Sequence, residues 1–543
     1  MKKKNLRTLV HLFILLLLSA FFSPSTEMPW ARARTGAPNV QSGSDGRMLW
    51  NRTYGGPGFE WGSSVQVLGD GGYIIAGTTE SYGAGEFDFY LVRTDSEGNM
   101  LWNRTYGGPQ FEEASSIQET SDGGYIIAGT TNSFGAGEFD FYLVRTDSEG
   151  NMLWNRTYGG PQFEEASSIQ ETSDGGYIIV GTISSLDPFS EDVYLVKTDP
   201  EGNILWNRIY GRFENEQGYP ILDYGNSVQE TSDGGYIIAG YTTAFGMDSD
   251  VCLIKTDPEG NTLWNGTYGG PSSGRGYSAR ETSDGGYVIA GFTKPFMMIG
   301  DQEVYLVKTD SGGNMLWNRT YGGPGRDSCS SVQVTGDGGY IISGTKVPID
   351  DENSDVYLVK TDSEGNMLWN RTYGGPGMDS CSSVQETGDG GYIIAGTTRS
   401  PEMDAAIYLI RIAPCPVPSS ITCQVSANTT KLGDAVNVSG KVTPSTLHRD
   451  ITLTYTLPDG TTVTRTVKTD KDSAFRDDYA PDVPGFWEVT ASMEGDAYYE
   501  ASTSELVAFT VEKTPLGVPL YLYGSLVVVA IAILAAWLLL RRR

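Results

Sequence analysis

One phrase, repeated at a near-constant interval, limits what this chain can fold into more than any other feature. Around Trp50, Trp102, Trp154, Trp206, Trp264, Trp317 and Trp369 the residues are nearly identical, with spacings of 52, 52, 52, 58, 53 and 52. A second phrase, Asp-Gly-Gly-Tyr, keeps the same period, with its aspartate at Asp70, Asp122, Asp174, Asp233, Asp284, Asp337 and Asp389. A fixed period near 50 residues implies a solenoid, a propeller or an array, and strand content separates these. Each unit holds four short β-like runs and nothing that reads as a helix; in the second unit they are 115–120, 124–130, 141–146 and 152–158. Four strands per unit with glycine-rich punctuation is the pattern of a propeller blade.

Turn chemistry assigns the pairing. Asp-Gly-Gly closes the first run onto the second, because glycine accepts positive φ without a Cβ clash. Thr-Asp-Ser-Glu-Gly-Asn closes the third onto the fourth, with Asp95 and its equivalents ordering their own turns by side-chain to backbone hydrogen bonds. The two remaining connections are longer and vary, so variable loops collect on one face. If the Trp strand is outermost, residues near 47–54 complete the last unit, and the ring closes by strand exchange without an exposed edge. The recurring Trp and Tyr are expected to pack unit on unit rather than to bind a ligand.

The phrase at 90–102, Tyr-Leu-Val-Arg-Thr-Asp-Ser-Glu-Gly-Asn-Met-Leu-Trp, resembles the repeat of quinoprotein-type propellers. Asp-Gly-Gly-Tyr and Tyr-Gly-Gly-Pro resemble repeats of prokaryotic, especially archaeal, surface proteins. After Pro414, Pro416 and Pro418 come seven short alternating runs in about 100 residues, which suggest a β-sandwich; the stretch from Gly485 to Tyr499 resembles immunoglobulin-like modules of such proteins. The expected fold is all-β: a seven-bladed β-propeller over 47–412, an immunoglobulin-like β-sandwich over 413–513, and one C-terminal transmembrane helix.

Both ends suggest an address. Lys2, Lys3, Lys4 and Arg7 precede an apolar run, the pattern of a signal peptide, placed at 1–27 and followed by a linker over 28–46. Residues 518–540 carry no charge and precede Arg541, Arg542 and Arg543, so an anchor at 518–540 with a cytoplasmic tail at 541–543 is expected, giving a single-pass membrane protein with its body outside.

Charge and histidine content exclude whole classes. A formal net charge of −29 argues against a nucleic-acid partner. Of two histidines, only His448 lies outside the N-terminal apolar segment, so histidine triads and His-rich metal sites are excluded from the main body.

Several residues are candidates for chemistry. An acid stands two positions before the third-strand Tyr position in six units, at Asp88, Asp140, Asp192, Asp250, Glu303 and Asp355. Near it on the variable-loop face lie Glu86, Glu112, Glu113, Glu138, Glu164, Glu165, Glu191, Asp350, Asp351 and Glu352. These are candidate oxygen ligands for calcium, the only cofactor considered. The competing reading, an acidic rim whose members cap loops, is favoured because no single loop has a calcium-loop spacing. Asn51, Asn103, Asn155, Asn265, Asn318, Asn370, Asn428 and Asn437 each begin a glycosylation sequon. Cys415 and Cys423 are a candidate disulfide, Cys329 and Cys381 occupy equivalent positions, and Cys252 replaces the third-strand Tyr.

The expected function is a membrane-anchored surface protein whose propeller serves adhesion, envelope structure or ligand capture. Its partner would be an extracellular glycan, an envelope polymer or a protein, held by the variable-loop face. The rival is an extracytoplasmic enzyme: a carbohydrate-active hydrolase or, less readily, a quinoprotein dehydrogenase, for which no adjacent cysteine pair is present. A glycosidase needs two carboxylates in one cleft, and a ring of similar acids nominates no pair.

Overall fold

The computed structural model describes residues 46–541, apart from 185–189, 212–221, 244–248, 270–272, 295–300, 350–352, 401–402, 445–448, 497 and 514–519. The expected signal peptide, nearly all of the linker, the acids at 350–352 and His448 lie outside the described residues. The rest is almost entirely strand, built from propeller-like repeated sheets.

Glu60–Val67, Tyr73–Thr79, Asp88–Thr94 and Met100–Tyr106 form the first four-stranded antiparallel sheet, each strand paired with the next. The same meander recurs along the chain, and a single parallel pairing, Glu191 with Leu222, joins the third and fourth sheets at their edges. In each sheet the two middle strands, such as Tyr73–Thr79 and Asp88–Thr94, are buried on both faces, whereas the fourth strand alternates toward solvent. The runs Tyr-Ile-Ile-Ala and Tyr-Leu-Val are apolar on both sides because each sheet is sandwiched between two others, and each buried aliphatic side chain contributes roughly 1.5–3 kcal/mol.

Packing is cyclic. Ile74, Phe89 and Leu91 of the first sheet share a core with Ile117, Ile127 and Tyr142 of the second. At the other end of the repeats, Ile393, Ile407 and Leu409 pack against Val65, Ile75 and Val92 of the first sheet. The strand exchange occurs as expected: Met48–Tyr54 pairs antiparallel with Met403–Ile412 and completes the sheet formed with Met378–Glu386 and Tyr392–Ser400. Each outer-strand Trp leans on the Asp-Gly-Gly-Tyr ring of the following sheet, as Trp102 does on Tyr125 at 6.1 Å. The Tyr closing each outer strand donates to a glycine carbonyl in the next sheet's turn, as Tyr106 does to Gly150 at 2.6 Å. At the last position Tyr373 donates to Gly46 O at 2.7 Å, so the segment before the exchanged strand stands in for the missing turn.

The tight hairpins use both glycines. Gly123 sits at φ +83°, and a Cβ on Gly124 would lie 2.2 Å from Thr146 O. The aspartate does more than turn the chain. Asp174 accepts from Lys197 Nζ at 2.9 Å, and the equivalent Lys or Arg is buried in every repeat, pinning the third strand to the first hairpin.

Residues 420–512 form a second β unit in two sheets around Trp487, Tyr455, Tyr499 and Phe509, all at most 1% exposed. One sheet centres on Val436–Thr443 and the other on Gly485–Met493 and Asp450–Thr456. The unit shares a core with the last repeats, and Tyr499 donates to Asp337 Oδ2 at 3.2 Å.

The C-terminal helix spans Leu520–Leu540, yet among the described residues no helix is long and apolar enough to cross a membrane. The expected transmembrane helix at 518–540 and the single-pass membrane location are corrected accordingly. Cys415 and Cys423, the candidate disulfide, are thiols in the structure, each packed against the shared core.

Candidate functional site

The inner strand of each sheet contains a bulge, for example between Gly62 and Ser64 or Ala114 and Ser116, which frees one residue from the ladder. Together these strands line a polar cavity of about 310 Å³ formed by their Ser-x-Gln phrases. The glutamines stitch one sheet to the next: Gln118 Oε1 accepts from Glu171 N at 2.6 Å, and Gln170 Oε1 from Glu230 N at 2.6 Å. Arg280 breaks the phrase, donating to Gln333 Oε1 at 3.2 Å; burial lowers its guanidinium to about 10.

Two residues before the bulge the repeat stops being a repeat. Register aligns Trp61, Glu113, Glu165, Tyr224 and Arg275, which stand opposite Thr78, Thr130, Thr182, Tyr241 and Phe292 of the neighbouring strands. Ser328 and Ser380 occupy the remaining equivalent positions. The Trp61 indole N–H donates to Glu113, and burial with the neighbouring Glu165 carboxylate pushes Glu113 up to about 7. Burial first, then Glu191, raises Glu165. Tyr224 stacks on Tyr241 at 4.4 Å, and the Arg275 guanidinium lies over the Tyr241 ring at 4.6 Å. An arc of two acids, three aromatic rings and one cation thus spans five consecutive sheets. Such a set offers ring faces for stacking and charged groups for hydrogen bonding. A carboxyl that titrates near neutrality beside a second acid also has general-acid character.

The six acids considered for calcium are placed differently. Asp88 is 1% exposed and accepts from Ala84 N and Gly85 N at 3.0 Å, and Asp140 accepts from Gly137 N at 3.1 Å. They cap their own loops. Each also meets an acid of the following sheet: Asp88 and Glu112 flank Gly107, Asp140 and Glu164 flank Gly159, and Asp355 and Asp379 flank Gly374. Burial and the second acid push Glu164 up to about 7 and Asp192, beside Asp223, to about 6. Glu303 faces Asp327, which Lys346 Nζ bridges at 3.0 Å, and Asp250 begins its strand opposite Thr242. Among the described residues no three acids, cysteines or histidines gather as a metal-binding group.

Of the sequons, Asn51, Asn103, Asn155, Asn265, Asn318 and Asn370 lie exposed on outer strands, five of them donating to the methionine three residues earlier. Asn428 is exposed, and Asn437 donates to Asp478 Oδ1 at 3.0 Å. The sequence reading named Glu113 and Glu165 only among many acids. The signal that singles them out is the break in repeat symmetry at one register position.

No family model matches the chain. A segment of 193 residues, 30% of the chain, is 28% identical to the regulatory protein FlaEY of Caulobacter vibrioides, and the match spans 20% of that protein's length. Among solved structures the chain is similar to the β-propeller domain of the Trilobed protease from Pyrococcus furiosus, with 13% identity, TM-score 0.39, and coverage of 65% of this chain and 93% of that one. It is also similar to the endo-arabinase from Bacteroides thetaiotaomicron, with 12% identity, TM-score 0.27, and coverage of 46% and 94%. A tetra-tandem repeat of a large adhesion protein aligns at 16% identity and TM-score 0.16, covering 83% of this chain and 100% of that one.

Proposed function

We propose that the repeats form the seven blades of one β-propeller, that residues 413–513 form an immunoglobulin-like module, and that the protein is a binding scaffold. Its ligand is a glycan, held on the variable-loop face by the arc from Trp61 to Arg275. The observation that carries this reading is the loss of repeat identity there. Packing alone keeps one residue type at equivalent positions, as it does for the outer-strand Trp. Four residue types over five equivalent positions, with two acids raised by burial among them, serve contacts that differ from blade to blade. Stacking rings with carboxylates and an arginine match the apolar faces and hydroxyls of a sugar.

Binding of the full chain to a glycan array, followed by titration calorimetry on any retained glycan, tests this. Tyr224→Ala and Glu113→Gln are expected to weaken binding at least tenfold in variants that still melt cooperatively. Undiminished affinity in both variants refutes the site. Retention of an envelope polymer or a protein instead of a glycan keeps the scaffold and changes the ligand.

One observation favours a second reading, a carbohydrate-active hydrolase. Glu113, pushed up to about 7 by burial and the neighbouring Glu165 carboxylate, stands beside a second acid, as a paired-carboxyl mechanism requires. Turnover of a retained glycan, lost in Glu113→Gln, would establish it over the scaffold.

A further inference from the structure

A different break in the repeat leaves a hole. The third strand carries Tyr at Tyr90, Tyr142, Tyr194, Tyr305, Tyr357 and Tyr408, but Cys252 in the fourth sheet. The filled slot is well defined. Tyr142 is 1% exposed, lies 5.2 Å from the Phe89 ring of the preceding sheet, hydrogen-bonds Asn155 on the outer strand, and has Glu112 of its own sheet nearby. Tyr408 likewise accepts from Asn51 Nδ2 at 3.2 Å.

Each equivalent of those partners surrounds Cys252. Val193 stands for Phe89, Asn265 for Asn155 and Asp223 for Glu112, and all three line a cavity of about 420 Å³ together with Tyr224 and Tyr241. That volume falls within the roughly 300–1,000 Å³ of small-molecule sites. The outer-strand arginine, which elsewhere covers the Trp as Arg104 covers Trp102 at 5.2 Å, is here Gly266, another lining residue. Cys252 faces this space half-buried, with burial pushing its thiol up to about 12, so it is a wall rather than a nucleophile at neutral pH.

We propose that this vacated tyrosine slot is a binding site for a phenol, with the ligand's ring taking the place of the missing side chain and its hydroxyl meeting Asn265. The cavity shares Tyr224 and Tyr241 with the arc from Trp61 to Arg275, but the proposal rests on Cys252, Val193, Asn265 and Gly266, which lie outside that arc. The phenol could be a free small molecule or a tyrosine side chain presented by another protein.

Titration of the full chain with p-cresol, toluene, N-acetyl-tyrosinamide and a tyrosine-bearing peptide separates these. The expected result is saturable one-to-one binding of p-cresol, at least tenfold tighter than toluene, abolished by Cys252→Tyr and weakened in Asn265→Leu for p-cresol alone. Tighter binding of the peptide than of p-cresol assigns the site to a protein partner; the reverse assigns it to a small molecule. In the unaltered protein, saturating p-cresol is expected to raise the melting temperature and toluene to raise it less, a readout that does not depend on a variant folding. Equal affinity for toluene, unchanged binding in a folded Cys252→Tyr, or no rise in melting at saturating p-cresol would overturn the proposal.

Discussion

The buried ion pair that each repeat carries offers an internal control for what burial does to a charge. Lys360 Nζ lies 2.9 Å from Asp337 Oδ2, and both side chains are 4% exposed, because the second β unit covers the aspartate through Tyr499. In the third sheet Lys197 is equally buried at 4%, but its partner Asp174 is 58% exposed. Replacing Asp337 by Asn removes the carboxylate paired with a buried ammonium and leaves it the Thr361 carbonyl at 2.9 Å. Breaking such a pair costs about 3–5 kcal/mol. Asp174→Asn is expected to cost about 1 kcal/mol or less, since water reaches that side. At about 2 °C per kcal/mol for a large domain, thermal melts should drop roughly 6–10 °C for Asp337→Asn and 2 °C or less for Asp174→Asn. The double replacement Asp337→Leu with Lys360→Met should recover most of the loss, because an apolar pair removes both desolvation costs. Burial raises the Asp337 carboxyl, but Lys360 and its hydrogen bonds hold it below the ordinary value. A depressed acid stabilises fully above its unfolded value, near 3.9, and loses that contribution as pH falls through the lower folded one. The difference between wild type and Asp337→Asn should therefore shrink below about pH 4. Equal drops at the two sites, or a double variant less stable than Asp337→Asn, would refute the reasoning.

Other consequences are open to test. Glu164 is fully buried and raised to about 7, so ionising it opposes folding; Glu164→Gln should raise stability by about 1–3 kcal/mol at pH 8 and change little at pH 5. If the Asp140–Glu164 pair takes calcium, millimolar calcium will raise the wild-type melt at pH 8 by more than that of Glu164→Gln. Tyr373→Phe removes the hydrogen bond to Gly46 that closes the strand exchange and should cost about 0.5–1.5 kcal/mol, with faster hydrogen exchange confined to Met48–Tyr54.

Much of the fold was legible because every strand was written several times. The runs expected at 124–130 and 152–158 lie within a residue of the strands Tyr125–Thr131 and Met152–Tyr158, and the outer-strand exchange followed from where the first Trp falls. The turn aspartates were half-read. Asp95 does order its turn, accepting from Asn99 N at 2.8 Å, but the ion pair of Asp174 with Lys197 links strands more than 20 residues apart, which turn chemistry cannot foresee. The acids before the third strand were legible as a set, whereas their pairing across sheets depends on how neighbouring blades meet. Glu113 and Glu165 were hidden for the same reason. Cys252 stood out in the sequence, but its consequence needed the positions of Val193, Asn265 and Asp223 around it.

The most direct test is titration of the full chain with the glycan that an array retains, comparing wild type with Tyr224→Ala and Glu113→Gln. Binding that falls at least tenfold in both, while each variant still melts cooperatively, is the expected result. Wild-type affinity in both variants, or no glycan retained by the intact protein, would contradict a ligand site on the arc from Trp61 to Arg275.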